Sequence, residues 1–146
     1  VKSDLKRFSR RIRKVAKDIE DNASEVCRNT ASRISKSLTM EDTPVKSGQA
    51  RNNWRASVGI PITGALFGKS FDTSGTEAHG KNNQQIAKQK PGQDIYITNN
   101  LPYIKRLNNG WSKQAPAGFV EAAVQKANTF IKKARLLKPR NSGDEQ

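Results

Sequence analysis

Residues 94–123 read DIYITNNLPYIKRLNNGWSKQAPAGFVEAA, and both tyrosines and one of the two tryptophans of the chain lie there. The apolar run Ile95-Tyr96-Ile97 predicts a short strand over residues 93–98, ended by an Asn99-Asn100 turn. Residues 102–107 have the composition of a brief helical piece. Asn108-Asn109-Gly110 is a turn signal, because Asn and Gly accept the backbone angles that turns require. Trp111, Ser112, Lys113 and Gln114 follow as an exposed-looking segment, and Pro116 stands before a second helix. Element type changes every few residues and aromatic groups alternate with polar ones, which predicts a surface presented to a partner.

Working outward, Phe119, Val120, Ala123, Val124, Ala127, Phe130, Ile131, Ala134 and Leu137 recur at helical spacing, so a helix is predicted over residues 117–137. Lys132, Lys133 and Arg135 suit the negative end of its dipole. Residues 139–146 read as a flexible tail. Upstream, Trp54, Ala56 and Val58 alternate with Arg55, Ser57 and Gly59, which predicts a strand within residues 49–60 with Trp54 as a core anchor. The two strands are expected to pair antiparallel across a long loop, residues 61–90. Within that loop, residues 62–71 could form a short hairpin and residues 82–88 a helical turn. Its composition buries little, so residues 63–81 are expected to order only in an assembly.

The amino-terminal third is one pattern. Leu5, Phe8, Ile12, Val15, Ile19, Ala23, Val26, Thr30, Ile34 and Leu38 are spaced by three or four, with no Gly or Pro between them. They predict an amphipathic helix roughly 50 Å long, longer than a compact domain of this size is wide, so one end should project or pack on another subunit. Arg7, Arg10, Arg11, Arg13, Lys14 and Lys17 crowd its first half, where the helix dipole disfavours cations. These residues are candidate contacts for DNA or an acidic partner. The fold class expected is α+β: a long amino-terminal helix and a carboxy-terminal helix packed on a small antiparallel sheet, in one domain over residues 1–138.

The 146 residues are 34% hydrophobic and 27% charged, so the core should be modest and partly completed by neighbours. A net charge of +14 implies attraction to something anionic. Cys27 is the one cysteine; it forms no intrachain disulfide and falls among apolar helical positions, as a small core residue does. His79, the one histidine, stands near Asp72 and Glu77 without metal-ligand spacing, so no metal is expected. Residues 59–68 lack the ending of a phosphate loop, and no nucleophile elbow or paired-cysteine motif is present. No catalytic set is therefore expected, and no cofactor. The basic helix has the charge for phosphate contacts but no accompanying helix-turn-helix, zinc-finger or RNA-binding aromatic pattern. No apolar window approaches the ~18 residues of a membrane span, and an intracellular, soluble product is expected, with no membrane partner.

Two segments resemble a known family. Thr43-Pro44-Val45-Lys46-Ser47-Gly48 followed by Arg51-Asn52-Asn53-Trp54 is one; residues 95–104 with residues 107–120 are the other. They are similar to the tail-completion, or tail-terminator, neck proteins of tailed bacteriophages. The resemblance implies a structural virion protein made in the host cytoplasm. Such a subunit would form a ring, usually a hexamer, at the head–tail junction. It would terminate the tail tube and join it to the head connector or adaptor protein. On this reading Tyr96, Tyr103, Trp111, Lys113 and Gln114 are the candidate contacts with a neighbouring subunit or ring. DNA could pass the channel without sequence-specific contact. The alternative function is a basic, sequence-independent DNA-binding or packaging accessory protein.

Overall fold

The computed structural model describes residues 2–68 and 70–133. Helix α1 spans Lys2–Lys36 and passes into a π-helical turn at Ser37–Asp42. A short helix α2, Gln49–Asn52, leads to strand β1, Arg55–Val58. Helix α3, Thr76–Ile86, precedes strand β2, Ile95–Thr98. Helices α4, Ile104–Asn108, and α5, Phe119–Lys133, complete the described chain. The fold is α+β, as the residue pattern predicts. Residues 134–137 of the predicted last helix, the limit at 138 and the tail over 139–146 lie outside the described residues.

The two strands form an antiparallel ladder with Ala56 opposite Ile97 and Ser57 opposite Tyr96. Trp54 is buried directly before β1, and its indole Nε1 donates to Thr43 Oγ1 at 2.9 Å. Leu38, Trp54, Phe119 and Ala123 form the main core cluster, flanked by Ile34, Ile97, Ile104 and Leu107. A second cluster joins Ala31 of α1, Ala56 of β1 and Ile86 of α3.

Several expectations are corrected. The predicted strand over 49–60 is confined to Arg55–Val58, because its first part is helical. Gly48 turns the chain there with φ 79, and the side-chain amides of Asn52 and Asn53 bond back to Gly48 O and Gln49 O at 2.8 Å each. Such local side-chain bonds favour a helical turn over a ladder.

The stretch 61–90 is not all loop. It contains α3, which buries Ala78, Asn82 and Ile86 along one face against β1 and α1. Asp72 fixes the start of α3: its carboxylate accepts the Glu77 N–H at 3.0 Å and the Ser74 N–H at 2.9 Å. These bonds, the Glu77 N–H first, hold the Asp72 carboxyl below the usual carboxylate range. Residues 76–81, expected to order only in an assembly, thus find partners within the chain. Residues 62–68 and 70–71 contain no strand in place of the expected hairpin.

The last helix begins at Phe119, later than Pro116 suggests. Gly118, with φ 83, donates its N–H to Asn108 O at 2.7 Å, and Asn108 Oδ1 accepts the Val120 N–H at 3.0 Å. Asn108 thereby satisfies an orphan donor at the start of α5 from a neighbouring helix.

Candidate functional site

The two segments with aromatic and turn character converge in space. Residues 44–50 together with Tyr103, Leu107 and residues 111–114 line a surface hollow of about 510 Å³. The Val45 N–H donates to Gln114 Oε1 at 2.8 Å, and Gln49 Nε2 donates to the Tyr103 hydroxyl at 3.0 Å. These two bonds join residues far apart in sequence. Asn108, beside the lining Leu107, ties α4 to α5: its Nδ2 donates to both Glu121 carboxylate oxygens, at 3.0 and 2.9 Å. That contact, the largest cause, lowers the Glu121 carboxyl below its ordinary range.

Trp111 stands at the hollow with 73% of its surface exposed. The Arg106 guanidinium lies 5.2 Å from the indole centroid, a cation–π geometry that orients the ring without burying it. Lys46 and Lys113, both exposed, also line the hollow. The arrangement offers an aromatic face, amide groups and two ammonium groups.

Of the residues expected from the sequence, Tyr103, Trp111, Lys113 and Gln114 are brought together. Gln114 spends its side-chain oxygen on the Val45 N–H, so it latches the two segments. Tyr96 is elsewhere, half-buried on β2 opposite Ser57. Its neighbours Ile95 and Ile97 pack on the core clusters, so strand alternation turns Tyr96 to the other face of the sheet. Arg7, Arg10, Arg11, Arg13, Lys14 and Lys17 are all exposed on the first half of α1, and none of them lines the hollow. Arg106, Val45, Gln49 and Asn108 are the contributors that sequence reasoning missed. The local signals were the Asn-Asn-Gly turn for Asn108 and the Thr43-Pro44-Val45 segment for Val45.

His79 lies on α3 and reaches α1. Its Nδ1 lies 3.1 Å from Ser35 Oγ and its Nε2 lies 3.2 Å from the Asn83 Nδ2 amide. Asn83 Oδ1 accepts in turn from Ser32 Oγ at 2.8 Å. Burial lowers the His79 pKa from 6.5, with the Lys36 charge adding to it and Glu41 opposing. A folded pKa below the unfolded one means that the unfolded chain binds more protons in that window, so stability falls as pH drops below 6.5. Asp72 and Glu121, whose pKa values are lowered from 3.8 and 4.5, give up their contribution only at more acidic pH. The melting temperature is expected to fall between about pH 7 and about pH 5, and His79→Gln is expected to flatten that slope. An equally steep slope in His79→Gln would assign the effect to other groups.

A scan against protein-family models, a search of curated proteins and a search of solved structures each found no match. Among the described residues, no helix is long and apolar enough to cross a membrane, and no three His, Cys, Asp or Glu side chains group as metal ligands do.

Proposed function

We propose that this chain is a structural virion subunit of the phage neck. It forms a homo-oligomeric ring at the head–tail junction, terminates the tail tube and joins it to the head connector. The observation that supports this reading is the convergence described above. The two segments that resemble the tail-completion proteins are remote in sequence, yet they are hydrogen-bonded to each other around one hollow. An exposed tryptophan held by a guanidinium is the kind of anchor that dominates protein–protein contacts. Lys46 and Lys113 favour a neighbour that presents carboxylates there.

Electron microscopy of the purified protein, alone and mixed with its tail tubes, tests the proposal. Rings, or tubes capped at one end, are expected. Trp111→Ala should melt within a few degrees of the wild type, since the side chain is exposed, yet fail to cap tubes. A chain that never binds tail tubes or head connectors would sink the reading. The projecting cations of α1 favour the second reading, a sequence-independent DNA-binding or packaging accessory protein. That reading requires tight binding to DNA with log K falling linearly with log salt.

A further inference from the structure

Every side chain from Lys2 to Lys17 is exposed, and the buried residues of α1 are confined to Ser24, Ala31 and Ser35. The first half of α1 therefore projects from the body. Along it Leu5, Phe8, Ile12, Val15 and Ile19 remain 62, 62, 53, 57 and 40% exposed. They follow one another at strict alternating steps of three and four, the heptad pattern of a coiled-coil seam. Such a strip leaves on the order of 500 Å² of apolar surface in water, at the upper end of what a monomer shows.

We propose that this arm pairs antiparallel with the arm of a second copy of the chain. The charge layout selects both the partner and the direction. Lys6, Arg7, Arg10, Arg11, Arg13, Lys14 and Lys17 precede a block of Asp18, Glu20, Asp21 and Glu25 that contains no cation. Parallel pairing would set the cation block beside its own copy. It would also place Arg11 opposite Ala16, because the two edges of a seam meet crosswise in parallel helices.

Antiparallel pairing brings like edges together. Arg11 of one copy then faces Asp18 of the other, twice by symmetry. Ser9 and Ala16, the small residues of the other edge, meet each other and let the helices approach. Phe8 packs opposite Ile19 and Ile12 opposite Val15. The unfavourable pairs are Asp4 opposite Glu25 and Leu5 opposite Asn22, at the two ends of the overlap. Two facing strips remove roughly 1,000 Å² from water, the floor for a specific interface, and the stems of the flanking Arg and Lys side chains add to it. The contact is two-fold and saturates at two copies, so it leaves the Trp111 hollow free for other neighbours. It stands independently of the neck reading.

Sedimentation velocity of the full chain at physiological salt tests the proposal. The wild-type particle is expected to contain an even number of copies. Ile12→Asp should halve its mass while leaving the Trp54 fluorescence of the body unchanged, since Ile12 lies on the projecting, exposed half of α1. Arg11→Glu should weaken the pairing about tenfold, and Arg11→Glu with Asp18→Arg should restore it. These two residues lie on separate turns of one helix, so rescue reports a contact between copies. A mass that Ile12→Asp does not change overturns the proposal, whether the wild type is monomer or ring. Failure of the double variant to rescue overturns the antiparallel arrangement. Binding of anionic lipid vesicles that Ile12→Asp abolishes, without a change in mass, would assign the strip to a membrane surface instead. A ring that survives Ile12→Asp removes this contact and leaves the neck reading intact.

Discussion

Gly75→Ala is expected to unfold most of the molecule at temperatures where the wild type is native. Gly75 is buried with φ 76, in the left-handed region that disfavours a Cβ. A Cβ built there would sit 1.8 Å from the Thr39 carbonyl oxygen and 2.6 Å from its carbon, both backbone atoms of the π-helical turn. No rotamer change relieves a clash with backbone. Either α3 or the turn must move. Thr39 is held by its own hydroxyl, which donates to Ser35 O at 2.7 Å, and α3 is held by Asp72. We expect a loss of more than about 4 kcal/mol, or more than about 10 °C in melting temperature followed by circular dichroism. Gly80→Ala is the control. It lies inside the same helix with nothing within 4 Å of a built Cβ, and it should stabilise by about 0.5–1 kcal/mol. A Gly75→Ala protein that melts with the wild type would mean that α3 does not abut the π-helical turn.

That contact also explains which parts of the fold were legible in the sequence. Helix α1 was, because its apolar positions step by three and four without a break, and a period that long has one explanation. The strand β2 and the burial of Trp54 were legible for a related reason: a short apolar run and an alternating one. Helix α3 was not. Its buried face is Ala78, Asn82 and Ile86, so the centre of its stripe is an amide and the small apolar residue beside it has little weight. Counting apolar residues finds no period there. The start of α1 and the start of the core were likewise indistinguishable. Both halves of the helix show the same stripe, and only packing reveals that the first half faces water.

The core's polar content follows the same logic. Asn53, Thr39, Thr43 and Ser35 are the largest fully buried side chains, and sequence reasoning assigns such residues to the surface. Asn53, Thr43 and Ser35 are satisfied by bonds with distant chain, while Thr39 donates to Ser35 O one helical turn back. Asn53, for example, accepts the Leu66 N–H at 2.7 Å and donates to Leu66 O at 2.9 Å, which ties down the stretch after β1 as a strand partner would. Among the described residues no buried side-chain nitrogen or oxygen lacks a partner. A chain with few large apolar groups thus specifies its fold through directional bonds. The candidate site was legible to the same extent. Tyr103, Trp111 and Gln114 stand out as aromatic and amide groups among turn residues. Arg106, Val45 and Gln49 join them only through contacts that the turn geometry creates.

Asn82 is where that dependence on directional bonds should be most costly to disturb. The residue is 3% exposed and joins α3 to α1 and to the start of β1. Its Oδ1 accepts the Ala56 N–H at 2.9 Å, and its Nδ2 donates to Trp54 O at 2.9 Å and to Ser35 Oγ at 3.0 Å. It therefore fastens β1 to α3, with no third strand among the described residues. Asn82→Leu keeps the volume and leaves the Ala56 N–H and the Trp54 carbonyl buried without partners, a loss of about 3–5 kcal/mol. The Ala56 amide should exchange its proton far faster in this variant. Asn82→Asp separates the bonds from the volume. Its carboxylate can still accept from Ala56, but it turns a second acceptor toward the Trp54 carbonyl, and burial disfavours its charge. The folded-state pKa of the new carboxyl must then lie above the unfolded value of about 3.9. The folded state binds the extra proton in that interval, so the deficit of Asn82→Asp relative to wild type should shrink as pH falls toward it. A deficit that stays constant with pH would mean that the amide donor of Asn82 does not hold Trp54, and that α3 is fastened to the strand by Ala78 and Ile86 alone.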